Sequence, residues 1–515
     1  MANKPPSFVL SIRFLLAVIA FLAYATQYTQ KINMSVAIVC MINNTALKAQ
    51  AELNPIPGDL VEQKSLLLTS NVSALIDEHA ELNEKCGAVA KGNKSTVDGP
   101  FEWPKSIQGM ILSSYFIGYL ITEIPGGYLS LKFGPKNVLG YAILIASIFT
   151  ILLPFFARFH YIALIVSRFI IGLGHGVIWP AFAGFWASWA PPAERSRLIG
   201  TANAGSQIGN VIALPLGGFL CVNGFDGGWP SIFYVFGALG VAWFVLWMIF
   251  SSNSPDENRF IGEIEKEYVL EETSETRSSH EEGETGAPWG KIMTSKACLA
   301  LFFGHSCSNW GTYLFLTSLP SYMKEVLKFD IKSNGTLSAV PYLVFWAFII
   351  MSGILGDICL QKLKMTKTLV RKIFNALAFL VPMGAVIGLA FVTCEFKMVG
   401  VALLTIGLAF TGCGYGAGFL VNYNDIAGPF SGIVFGIGNT FATIPGILAP
   451  YLVGILTKNQ KQEEWRIVFF ITAGVYLLGA IVMLIFTSGQ VESWAARKKA
   501  LNTTDEAIPL RSEKA

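Results

Sequence analysis

Apolar and polar residues alternate along this chain in long blocks. Apolar runs occupy about 13–41, 107–130, 137–157, 160–186, 199–222 and 230–252, and six more follow at 296–322, 335–357, 369–393, 398–421, 430–456 and 466–487. Each is long enough to cross a bilayer as a helix of ~20 residues, and none shows the strict alternation of a barrel strand. The first run is too long for the core of a cleavable signal peptide, so it reads as a retained span. Between the blocks lie a polar start (1–12), a polar loop (42–106), a Glu- and Ser-rich linker (253–293) and a polar tail (489–515). The expected architecture is all-α, with one six-helix bundle over 13–252 and another over 294–488.

Basic residues orient the array. Lys132 and Lys136, Arg195 and Arg197, and Lys362, Lys364, Lys367, Arg371 and Lys372 all follow even-numbered spans. The positive-inside rule places them, both termini and the linker in the cytosol. The sequons at Asn43, Asn71 and Asn93 fall in the 42–106 loop on the opposite face, where glycosylation is expected. Asn502 is then cytosolic and Asn33 lies within the first span. Six plus six around a linker suggests duplication, with a weak echo in Gly205 and Pro215 against Thr440 and Pro450. A second echo pairs Gly353 and Asp357 with Gly127 and Leu131.

Composition sharpens this picture. Hydrophobic residues make up 53% of the 515 and charged residues only 14%, with a mean hydropathy of +0.53. A soluble domain carries about a quarter charged residues, so an integral membrane protein set in a lipid bilayer is expected. The net charge of +3 is confined to loops, and no nucleic-acid patch stands out. Eight scattered cysteines show no metal spacing and no disulfide framework, with Cys221, Cys298, Cys307 and Cys413 inside expected helices. Cys86, in the outer loop, is either free or paired with Cys40 or Cys394.

The candidate chemistry centres on Ser167 to Leu198. Arg168 and His175 interrupt its apolar part seven residues apart, two helical turns, so they share a side. A charge at that depth costs at least a few kcal/mol and persists facing a cavity, a partner or water. A buried cation aimed at a cavity reads first as an anion site. No nucleophile, metal cluster or cofactor loop points to an enzyme.

Six segments, WAPPAERSRL (189–198), YLITEIPGGYL (119–129), KINMSVAIV (31–39), LPSYMKEVLKF (319–329), LSAVPYL (337–343) and GNTFATIPGILAP (438–450), resemble the anion and phosphate cotransporter family of the major facilitator superfamily. That family includes sialin, the vesicular glutamate transporters and the type I sodium-phosphate transporters. The resemblance runs from about Arg13 to Trp494. It implies a twelve-helix rocker-switch symporter of organic or inorganic anions such as phosphate, carboxylates or sialic acid. The driving force would be protons, sodium or membrane potential, with H+ or Na+ as coupling ion and no other cofactor.

Carried over by position, the family's helix 1 arginine corresponds to Lys31 and its helix 4 arginine to Arg168. The helix 4 glutamate of proton-coupled members falls at His175, a second acidic position at Ile171, and the glutamate transporters' helix 7 arginine at Ser308. Tyr28 and Tyr119 match tyrosines of sialin, and Glu123 stands where most relatives have glutamine. These departures argue against a vesicular glutamate transporter and put sialin-like proton coupling in doubt. The expected substrate site is Lys31, Arg168, Tyr28, Tyr119, Asn309, Tyr313 and Asn439, with Glu123 and His175 for ion coupling. Glu123 alternatively neutralises Arg168, His305 reads as packing near the start of its helix, and the acidic linker as a solvated tether. An anion-sensing receptor is the alternative of another class. A monomer is expected, in a plasma, lysosomal or vesicular membrane.

Overall fold

The computed structural model of the protein describes residues 7–53, 98–285 and 288–495. Among these residues twelve helical spans follow one another: α1 (Ile12–Met41), α2 (Lys105–Phe133), α3 (Pro135–Phe159), α4 in two pieces (Tyr161–Gly176 and Ile178–Trp189), α5 (Arg195–Asn223) and α6 (Trp229–Phe250). The second six are α7 (Lys296–Glu325), α8 (Ile331–Gln361), α9 (Lys367–Leu389), α10 in two pieces (Lys397–Gly416 and Phe419–Ala427), α11 (Ser431–Leu456) and α12 (Gln462–Phe486). Eleven of these spans are apolar enough to cross a bilayer on composition alone. The exception is α7, diluted by His305, Ser308, Asn309, Thr317 and Ser318, all of which it buries inside the protein.

Side-chain caps start several spans: Ser11 accepts from the Phe14 amide, Ser295 from Cys298, Asp330 from Ser333 and Thr366 from Leu369. Prolines stand inside α2, α3, α5, α7, α8, α9 and α11. Such prolines persist where a neighbour satisfies freed backbone groups. One such contact is Asn334 of α8, whose amide donates to the Pro320 carbonyl of α7 at 2.7 Å. The breaks in α4 (at Val177) and α10 (at Ala417 and Gly418) come at the corresponding span of each six.

Two seams join the halves. α2 packs along α11 and α5 along α8, an exchange-symmetric pairing in which the second span of each half meets the fifth of the other. The backbones approach closely enough that a Cβ on Gly109 would sit 2.7 Å from the Pro450 carbonyl oxygen. Polar ties between halves gather toward the face bearing the α1–α2 loop. Lys105 pairs with Glu325, which also accepts from Trp465 Nε1 at 3.1 Å. Ser113 donates to the Ile447 carbonyl at 2.8 Å, and Lys324 to that of Val39 at 2.7 Å. Toward the opposite face the seam loosens, for Cβ atoms on Gly432 and Gly436 of α11 would meet open space. The protein is closed on the loop face.

Two expectations are corrected. A disulfide joins Cys40 at the end of α1 to Cys221 near the end of α5, and Cys394 is disulfide-bonded as well. Residues 181 apart in sequence give no local spacing signal, but the parallel packing of α1 on α5 brings their ends together. The linker is no free tether either: its helix Glu263–Thr285 docks on the N-terminal half. Glu265 takes the amides of Ile12 and Arg13 and pairs with the Arg13 guanidinium at 3.0 Å, while Glu194 holds the same guanidinium at 2.6 Å. Burial pushes the Tyr268 phenol up, with Glu194 and Glu272 reinforcing it.

Candidate functional site

The spans α1, α2, α4, α7 and α11 converge on two buried cations. Arg168, from the first piece of α4, is 1% exposed. Its guanidinium donates to the Gln30 carbonyl at 3.2 Å, to the Lys31 carbonyl at 3.4 Å and to Asn33 Oδ1 at 3.5 Å, all on α1. It lies 4.9 Å from the centre of the Tyr115 ring, and its Nε has no partner among the described residues.

Lys31 is 7% exposed, and its ammonium lies within 6.0 Å of five ring centres. These are Tyr28 of α1 (5.1 Å), Tyr115 (6.0 Å), Phe116 (5.2 Å) and Tyr119 (5.3 Å) of α2, and Tyr313 of α7 (4.7 Å). Ring faces attract a cation without neutralising it. Among the described residues neither Lys31 nor Arg168 has a carboxylate in ion-pair contact.

Glu123 does not pair with Arg168, the alternative raised from sequence. One oxygen accepts from Asn439 Nδ2 and the other from Thr443 Oγ1 at 3.1 Å, both on α11. The carboxylate still acts on Lys31 through space. Its register two residues before Pro125 places it at the inner end of the α2–α11 seam, turned toward the other half. Asn439 is thus engaged by Glu123. Asn309 is likewise committed, donating to the Ala442 carbonyl at 3.0 Å and accepting from Tyr415 at 2.6 Å.

His175 lies behind Tyr115. Its Nδ1 meets the Tyr115 hydroxyl at 3.0 Å, while Nε2 is buried without a partner among the described residues. Tyr115 therefore links Arg168 on its ring face to His175 on its hydroxyl. α2 can present this tyrosine because Gly172 of α4 lets the helices touch: a Cβ there would collide with the Tyr115 carbonyl. Tyr115 and Phe116 were missed in sequence. Tyr115 is one turn before Tyr119 on the same helix face, which was the available signal.

Ser308 is fully buried on α7 and Ile171 on α4. His305 sits well inside α7 rather than at its start, with Nδ1 3.3 Å from the Tyr423 hydroxyl and its ring stacked near Phe435 and tilted against Phe419. At the loop face, Asn43 Oδ1 accepts from the Ala46 amide at 2.9 Å and so caps the helix Asn44–Leu53. Asn71, Asn93 and Cys86 lie outside the described residues.

The sequence profile described as Major Facilitator Superfamily matches residues 14–450. Human sialin is 37% identical over 486 residues, covering 94% of this chain and 91% of sialin. Human vesicular glutamate transporter 2 is 35% identical over 486 residues, covering 94% of this chain and 75% of that protein. Among solved structures, a bacterial homologue of the human lysosomal transporter Spinster, inward-facing and occupied, superposes with a TM-score of 0.64 at 12% identity, over 93% of this chain and 97% of that one. That likeness concerns the fold.

Proposed function

The chain belongs to the Major Facilitator Superfamily, and we propose that this secondary anion transporter holds its substrate between Lys31 and Arg168. One observation carries the reading: two buried cations share a site with no ion-paired carboxylate among the described residues. Burying a charge without its counter-charge costs several kcal/mol, so the missing negative charge is supplied by the cargo. The low local dielectric strengthens each charge-assisted contact. The free Nε of Arg168 offers a further donor.

The tyrosines sort the roles. Tyr28, Tyr119 and Tyr313 border Lys31 and line the substrate's path, and Tyr313 brings the second half into the site. Asn309 and Asn439 shape it without touching cargo, since their amides are spent on α11 and Glu123. Small anions that meet these donors include phosphate, glutamate and sialic acid. Both termini and the linker face the cytosol, by the charge bias of the loops.

A proton is the coupling ion that the geometry favours. With Glu123 ionised, Lys31, Arg168 and Glu123 sum to a charge of +1, and protonation raises the sum to +2. A proton on Glu123 therefore strengthens anion binding, and by linkage the anion strengthens proton binding. Release of both resets the empty carrier.

Tracer uptake into proteoliposomes under an imposed proton or sodium gradient tests the reading, with phosphate, sialic acid, glutamate and urate as cargo. Accumulation of one of them above equilibrium, driven by the proton gradient, is expected. Binding without accumulation would make the protein a sensor.

A further inference from the structure

The contacts of Glu123 suggest more than a proton site. The α2–α11 seam runs from Lys105 at the loop face to Glu123, some 18 residues or ~27 Å of helix. Ser113 ties it to Ile447 midway, and Phe116 packs where a side chain on Gly446 would stand. Beyond Glu123 the two helices separate. Gly126 of α2 turns to Val177 and Pro180 of α4, and Gly432 and Gly436 of α11 face open space. Glu123, Asn439 and Thr443 form the last polar tie of the seam among the described residues. Asn439 and Thr443 are one turn apart on α11, so one carboxylate engages both with separate oxygens.

We infer that Glu123, Asn439 and Thr443 are a clasp between the halves, whose grip depends on the charge of Glu123 and sets how readily the loop face opens. The ionised carboxylate accepts two hydrogen bonds from the other half, and charge-assisted bonds are roughly twice as strong as neutral ones. A proton removes that charge and one acceptor position, so the clasp loosens and the seam opens more easily. Glu123 is then a positioning residue for alternating access, and Asn439 and Thr443 serve it rather than the cargo.

The groups acting on Glu123 are few. The titratable groups within electrostatic reach are Lys31 of α1, Tyr119 of its own helix and Tyr313 of α7, and α11 contributes the neutral Asn439 and Thr443. The α4 residues beside the next turn, Val177 and Pro180, are apolar. The inference rests on the proposed anion site through Lys31. Its test needs no cargo, so the two fail separately.

The test is labelling of Ser113→Cys by a membrane-impermeant maleimide from the loop face, in the full-length protein in proteoliposomes. Each rate is normalised to that of the unfolded protein at the same pH. Ser113 is buried in the closed seam, so labelling reports opening. Adding E123Q, or N439A with T443V, is expected to raise the rate about tenfold at pH 7.5. In the S113C protein alone the rate is expected to rise as pH falls, and in E123Q to be flat. Unchanged labelling in the N439A/T443V background overturns the clasp. So does a pH response that survives E123Q.

Discussion

Nη2 of Arg168 donates to the main-chain carbonyl of Lys31 at 3.4 Å, and the Tyr115 ring lies against both cationic groups. Two like charges on different helices are thereby held together by a backbone dipole and a π face. Neither removes charge, so the pair stays poised for an anion.

Lys31 supplies charge from within an aromatic box. Lys31→Met keeps the length and apolar packing but removes the charge, and should raise KM for the anion at least ~10-fold, the loss of one charge-assisted contact of about 1.5–3 kcal/mol. Lys31→Arg should keep more than half of that affinity. Equal KM values for the Met variant and the parent, from concentration-dependent uptake, would remove Lys31 from the site.

Tyr115 has two separable functions. Tyr115→Phe keeps the ring beneath Arg168 and loses only the hydroxyl that meets His175. A cost of about 1 kcal/mol, or some fivefold in kcat/KM, is expected. Tyr115→Ala removes the ring as well and should cost more than tenfold. If the two variants behave alike, the ring contact contributes nothing.

Gly172→Ala places a methyl against the Tyr115 carbonyl and must push α2 away from α4. Overpacking of this kind costs about 1–3 kcal/mol. Thermal unfolding in detergent should show a lowered midpoint, with uptake reduced even where surface expression is normal. A parent-like midpoint would mean that the helices part without penalty.

The Lys105–Glu325 pair spans the halves at the loop face with both side chains about 6% exposed. Breaking one partner of a buried pair is expensive, about 3–5 kcal/mol, because the other charge is stranded. Lys105→Glu and Glu325→Lys should each abolish uptake, and the double reversal should recover a measurable part of it. Failure of the double variant to exceed either single one would show that the pair does not act as a unit. Glu325 also holds Trp465, so full recovery is not expected.

Much of the fold was legible because bilayer spans announce themselves as apolar runs. The helices were placed by hydropathy, while the break at Val177 left no signal beyond His175 and its flanking glycines, and that at Ala417 lay within an apolar, glycine-rich run. The polar face of α7, visible as Ser308, Asn309 and Thr317, marks a helix that faces protein rather than lipid. The Cys40–Cys221 bond escaped notice because the two cysteines are far apart in sequence and sit at the ends of apolar runs. Arg168 was found because charge inside an apolar run is rare, and Lys31 through the resemblance, at the position of the family's helix 1 arginine. The partner of Glu123 was not, since a carboxylate on α2 carries no mark of Asn439 and Thr443 some 320 residues away. Glu265 was hidden in the same way, one acid among many in the linker, selected only by the position of Arg13.

The central claim is that an uncompensated buried guanidinium captures the anion. Its most direct test is uptake by Arg168→Ala, reconstituted at equal density and checked for native folding by its elution and unfolding midpoint. The account predicts that accumulation falls to the level of empty proteoliposomes, and that Arg168→Lys, charged but without the planar fork, recovers only a part. Accumulation by the alanine variant at the parent rate would contradict it.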